Sequence, residues 1–197
     1  MDFRLAFTPK PFPVKITYPQ QLMLVGSCFT ENIGDKLMAH KFSVLQNPHG
    51  ILFNPVSVKE AFESYTINKQ ITADSLFYLN EAWHSWQHHS RFSAVTPAEA
   101  VTKINTATQQ AHQYLKNADW LIITFGSAWV YELTAAANAV TGNVAANNHK
   151  APASWFTRRL LRNKEVVEII NKTVEQLQQF NPAIKIIFFN IVVICFL

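Results

Sequence analysis

Apolar and polar positions change period several times along the chain, and each change marks an element. Residues 21–25 (QLMLV) form an apolar run that ends in Gly26-Ser27-Cys28-Phe29, which reads as a buried strand entering a tight turn. Ile33, Leu37 and Met38 then share a helical face, which predicts a helix over residues 30–40. Residues 42–45 predict a second strand, closed by the loop Gln46-Asn47-Pro48-His49-Gly50. Pro55 suits the start of a second helix whose apolar face is Val58, Ala61, Phe62 and Tyr65. Residues 71–93 carry Trp, His and Phe without a clean period and predict an insertion of short strands or turns near a cleft. Thr96-Pro97-Ala98-Glu99 predicts a capped helix start, with the helix running to Asn117.

Residues 119–124 give the clearest strand, and residues 125–129 read as the turn at its end. Residues 135–150 are small and polar, a long loop or hairpin. Residues 165–180 predict a helix with Val166, Ile169, Ile170, Val174 and Leu177 on one stripe. Residues 184–197 (IKIIFFNIVVICFL) are almost wholly apolar and predict a last, buried strand. Pro9, Pro11, Pro13 and Pro19 make residues 1–20 an irregular lead-in.

Strand–helix alternation of this kind predicts one α/β domain over residues 1–197, a three-layer α/β/α fold on a mainly parallel sheet. In such sheets ligands bind beyond the carboxyl ends of the strands. Ser27, the 47–50 loop and the Gly126–Trp129 segment all fall there.

Composition narrows the class. The chain has 197 residues, 49% hydrophobic and 15% charged, enough for a substantial core and unlike a disordered segment. The net charge of +4 gathers partly at Arg158, Arg159, Arg162 and Lys164. No nucleic-acid motif accompanies that patch, so it reads as the solvated start of an amphipathic helix rather than a nucleic-acid surface. Two cysteines, Cys28 and Cys195, form neither a disulfide framework nor a zinc pattern. His84 and His88 are four apart, but the stretch does not read as helical and no Glu or Cys stands at ligand spacing, so no metal is expected. The amino terminus has no secretory signal and the apolar terminus is too short to span a bilayer, which predicts a cytoplasmic protein without a membrane partner. A chain seldom ends on its most hydrophobic strand, so the sequence reads as truncated.

A serine at a strand-to-helix turn lies beside backbone N–H groups that favour developing negative charge, the setting a serine nucleophile needs. The other reading of Ser27 is a plain helix cap. Gly26-Ser27-Cys28-Phe29 followed by Glu31-Asn32-Ile33-Gly34 resembles the signature of the GSCFA domain family, similar to a branch of the SGNH/GDSL hydrolase superfamily. Thr30 stands where that signature usually has Ala. The resemblance implies an SGNH-hydrolase-like (flavodoxin-like) fold, here incomplete at its C-terminal end. It also implies an ester hydrolase with Ser27 as the nucleophile and Gly50 in the second block, its N–H supporting the oxyanion together with that of Ser27. A glycine required only by turn geometry is the alternative for Gly50.

The third block departs from the superfamily's Gly-x-Asn-Asp: Gly126-Ser127-Ala128-Trp129 stands there, and Ala128 cannot donate. Asn147-Asn148-His149-Lys150 resembles a family segment usually reading Asn-Cys-His-Lys. Asn147 or Asn148 would replace the missing donor, and His149 would bind substrate, act as base, or simply hold its loop. The family pattern continues with Ser-Pro-Val and an Asp-x-x-His motif, which these residues do not contain. The expected partner is a small-molecule or carbohydrate ester, with no nucleic acid and no cofactor. The alternative is a catalytically inactive fragment or a binding domain on the same fold.

Overall fold

A computed structural model describes residue 10 and residues 13–190 of the chain; residues 191–197, with Cys195 and the end of the apolar terminus, lie outside the described residues. Strand β1 (Gln21–Val25) leads into helix α1 (Cys28–Ala39), and β2 (Ser43–Gln46) into α2 (Pro55–Thr66). A hairpin of β3 (Phe77–Leu79) and β4 (Ala82–His84) comes before α3 (Pro97–Asn117) and β5 (Trp120–Phe125). Then follow β6 (Trp129–Leu133), β7 (Val144–Ala145), β8 (Phe156–Leu160), α4 (Asn163–Phe180) and β9 (Lys185–Asn190).

The central sheet has the order β2-β1-β5-β9 and every pairing in it is parallel. Alternation along β1 and β5 sends side chains to two different layers. Leu22, Leu24, Trp120 and Ile122 pack with Ile33 and Leu37 of α1. Met23, Val25, Leu121 and Ile123 pack with Phe62 and Tyr65 of α2, Leu115 of α3 and Leu177 of α4. The result is the expected three-layer α/β/α arrangement on a mainly parallel sheet, with one helix on one face and three on the other. The chain leaves β1 toward β2 on one side and reaches β5 on the other, so the crevice beside the end of β1 is the topological switch point.

Local chemistry sets the helix starts. Asn54 Oδ1 accepts the Ser57 N–H at 2.9 Å with Pro55 in the first turn, and Thr96 Oγ1 accepts the Glu99 N–H at 3.3 Å ahead of Pro97. Helix α1 begins at Cys28, two residues earlier than the apolar period predicts.

The larger difference is a second sheet. Residues 125–129 do turn, but β6 starts at Trp129 and pairs antiparallel with both β7 and β8. Arg158 and Arg159 therefore lie on a strand and not at a helix start. Arg159 bonds Glu132 and Glu165, each at 2.8 Å, and Arg162 bonds Glu165 at 3.0 Å. The Arg158 guanidinium stacks 3.9 Å over the Trp129 ring. The basic patch is thus knitted into the fold by two glutamates and a tryptophan. The insertion over residues 71–93 packs on this sheet, with Trp86 against Leu133, Ala137 and Ala145. Among the described residues no helix is long and apolar enough to cross a membrane.

Candidate active site

The turn after β1 is built around Gly26. Its φ is +144°, and a Cβ added there would lie 2.1 Å from the Thr124 carbonyl oxygen, so only glycine fits. The Gly26 N–H donates to Asn47 Oδ1 at 2.8 Å, and the Gly26 carbonyl accepts the Leu52 N–H at 2.8 Å. These bonds tie the ends of β1 and β2 together.

Ser27 occupies the cap position of α1, yet its hydroxyl makes no capping bond. It meets Thr124 Oγ1 at 3.0 Å instead, while the Ser27 N–H donates to the same oxygen at 2.9 Å. Thr30 Oγ1 lies 2.6 Å from Thr124 Oγ1. A threonine hydroxyl has one proton and two lone pairs. One lone pair of Thr124 is taken by the Ser27 amide. The remaining lone pair and the proton must be divided between Ser27 and Thr30, so the three hydroxyls form one directed chain. The helix-cap reading of Ser27 is therefore not what the structure shows. Ser27 is buried, 4% exposed, at the switch point.

Gly126 lies beside it: a Cβ built on Gly126 would be 3.6 Å from Ser27 Cβ. The N–H groups of Gly126 and Ser127 both donate to the Phe53 carbonyl, at 2.9 and 3.1 Å. Gly50 is buried behind His89, and its N–H closes a turn onto the Asn47 carbonyl at 2.8 Å. In this arrangement the two amides expected to hold an oxyanion, those of Ser27 and Gly50, are both spent inside the protein. Turn geometry, the alternative reading of Gly50, accounts for its glycine through φ +87° and the close approach of His89.

Asn147 and His149 belong to a different neighbourhood. Asn147 Oδ1 accepts the His149 N–H at 2.9 Å, and His149 Nε2 donates to the Ser85 carbonyl at 2.8 Å. A carbonyl only accepts, so the proton of this imidazole sits on Nε2. Burial first of all lowers its pKa to about 4, and it stays neutral. His149 thus ties its loop to the insertion. None of the seven histidines hydrogen-bonds Ser27. Among the described residues no three side chains of His, Cys, Asp or Glu gather as a metal site.

Two residues at the centre of this site escape sequence reasoning as individuals. Asn47, fully buried at φ +42°, takes the Gly26 N–H and reaches Glu31 at 3.3 Å through Nδ2. Its carbonyl also receives the Arg91 guanidinium, which bonds Glu31 at 3.3 Å. Thr124 is a polar residue at the end of an otherwise apolar strand, and that break in the pattern is the signal that points to it.

Away from Ser27, Glu60 on α2 lines a cleft with one carboxylate oxygen buried and unpartnered. Burial, then the neighbouring Glu63, raises its pKa to about 7. A carboxyl with a raised pKa costs stability once both states ionise, and the cost fades as pH falls from 7 toward the ordinary carboxylate range. Glu60→Gln therefore stabilises the fold on the order of 2 kcal/mol above pH 7, with no gain near pH 4. Urea unfolding at the two pH values checks this; an equal effect at both would remove the burial explanation.

The GSCFA family model matches residues 21–189 of the chain. No curated protein and no solved structure matches it.

Proposed function

The chain belongs to the GSCFA family, and from that membership we propose that it carries the serine end of an SGNH-type ester hydrolase site, with Ser27 as nucleophile. The observation that carries this reading is that the Ser27 hydroxyl is free of capping duty and is held by Thr124 at the switch point of a parallel sheet. A hydroxyl spent on a cap would already have its lone pairs committed to helix amides. In the chain Thr30–Thr124–Ser27 one of the two directions leaves Thr124 donating to Ser27 Oγ, so that the Ser27 proton is the one available for removal. A neutral serine still needs a base. The reading assigns that role to the Asp-x-x-His motif of the family pattern, which residues 1–197 do not contain. The substrate is an acyl ester, and a carbohydrate O-acetyl ester fits the class; the setting is cytoplasmic.

A second reading, a binding domain without turnover, is favoured by one specific observation: the Ser27 and Gly50 amides are both occupied and no imidazole bonds the serine. Labelling with a fluorophosphonate, together with p-nitrophenyl acetate turnover, separates the two when the Asp-x-x-His motif is present together with Ser27. The hydrolase reading expects labelling at Ser27 and a loss of turnover of about 10³-fold or more in Ser27→Ala. A chain that is silent toward the probe, or that turns over equally well as Ser27→Ala, leaves the binding-domain reading.

A further inference from the structure

Three hydroxyls meet at the serine turn, and they do not hold their protons on equal terms. Thr124 sits on β5, hydrogen-bonded between β1 and β9, and is 1% exposed. Its Oγ1 accepts the Ser27 N–H at 2.9 Å and lies 3.0 Å from Ser27 Oγ and 2.6 Å from Thr30 Oγ1. With one lone pair filled by the amide, Thr124 donates to one of the two hydroxyls and accepts from the other. Among the described residues neither Ser27 Oγ nor Thr30 Oγ1 makes another hydrogen bond. One proton of the three is therefore left over, and the direction of the chain decides which end carries it.

The two ends are not equivalent. If Ser27 donates to Thr124 and Thr124 to Thr30, the spare proton is on Thr30. That residue is 1% exposed on the buried side of α1, and a sealed donor without an acceptor is what folded chains avoid. In the opposite direction Thr30 donates to Thr124, Thr124 donates to Ser27 Oγ, and the spare proton is on Ser27. Ser27 is flanked by Cys28, which is exposed, and lies beside Gly126, which is also exposed. This end of the chain borders the mouth of the crevice, where a proton can be met by solvent or by a bound molecule.

We propose that Thr124 is the positioning residue of the serine site: it holds Ser27 off the helix cap, donates to Ser27 Oγ, and so directs the Ser27 proton outward. Thr30 is the terminal donor that fills the last lone pair of Thr124. Strand β5 gives Thr124 its precision, because it is paired on both edges, with Phe189 of β9 opposite Thr124. The catalytic use of the outward proton rests on the hydrolase reading. The direction of the chain does not, and its test needs no turnover, so the two fail separately.

Neutron diffraction from deuterated crystals of the chain reads the three hydroxyls directly. The expected result is deuterium on Thr124 Oγ1 aimed at Ser27 Oγ, deuterium on Thr30 aimed at Thr124, and the Ser27 deuterium turned away from both. Deuterium on Ser27 Oγ aimed at Thr124 overturns the proposal. Crystal structures of Thr124→Val and Thr124→Ser supply the second arm. Valine keeps the shape and removes the hydroxyl, so Ser27 is expected to rotate about 120° in χ1 and accept the Thr30 N–H as an ordinary cap. Serine restores the hydroxyl and is expected to return Ser27 Oγ to its place. A Ser27 side chain unmoved in Thr124→Val, or displaced equally in both variants, also overturns it. Should Thr124→Val fail to fold, the neutron result and Thr124→Ser still decide.

Discussion

Lowering the pH from 7 to 5 weakens the folded state by about 3 kcal/mol or more. The cause is a set of imidazoles that the fold buries in neutral form. Burial leads each shift: His88 falls to about 3, His149 to about 4, and His49 well below its ordinary value. The unfolded chain takes up a proton on each near pH 6.5, and the folded chain does not. Stability is therefore full above that pH and is lost as pH falls toward the folded values. At pH 5, His88 and His149 each cost about 2 kcal/mol, with His49 acting in the same direction. Glu60 opposes them, regaining on the order of 1 kcal/mol as it protonates. Urea unfolding at pH 7, 6 and 5 reads the slope, and His88→Gln, which cannot titrate, removes about half of it. A stability flat across that range would mean these rings are not held neutral inside the protein.

Gly26→Ala is the second large effect, a loss of about 4 kcal/mol that leaves little folded protein at physiological temperature. Two terms combine. The backbone at φ +144° is strained for any side chain, and the new methyl would sit 2.1 Å from the Thr124 carbonyl oxygen and 2.5 Å from its hydroxyl. The carbonyl belongs to the backbone of β5 and cannot yield without moving that strand away from β1. Gly142→Ala provides the comparison. Its φ is +88° but nothing lies within 4 Å of the new Cβ, so it pays only the backbone term, about 1 kcal/mol. Equal costs for the two variants would show that the turn under Ser27 has room the structure denies it.

The elements that govern this site were legible in sequence to very different degrees. Strand β1, helix α3 and strand β5 declare themselves, because their apolar periods are long and their ends carry Gly26, Thr96-Pro97 and Phe125-Gly126. The convergence of Ser27, the Asn47 turn and Gly126 followed from strand order alone. The β6–β8 sheet did not, for a physical reason. Phe156–Leu160 is FTRRL, largely exposed, with two arginines whose partners Glu132 and Glu165 lie elsewhere in the chain. Such a strand is stabilised by pairing, and pairing leaves no local period. His149 and Gly50 were legible as residues, with a structural role left open for each beside the catalytic one. His149 is turned toward Ser85 by a bond spanning 64 positions, and Gly50 is closed off by His89. Neither contact can be read from spacing.

The Asn47–Gly50 turn has one edge on the Gly26 amide and the other on the buried imidazoles, with His49 and His88 rings 4.1 Å apart. A shared partition of this kind makes the two sides answerable to each other. A change that displaces the His49 ring acts on the same four-residue turn that holds the Gly26 amide through Asn47.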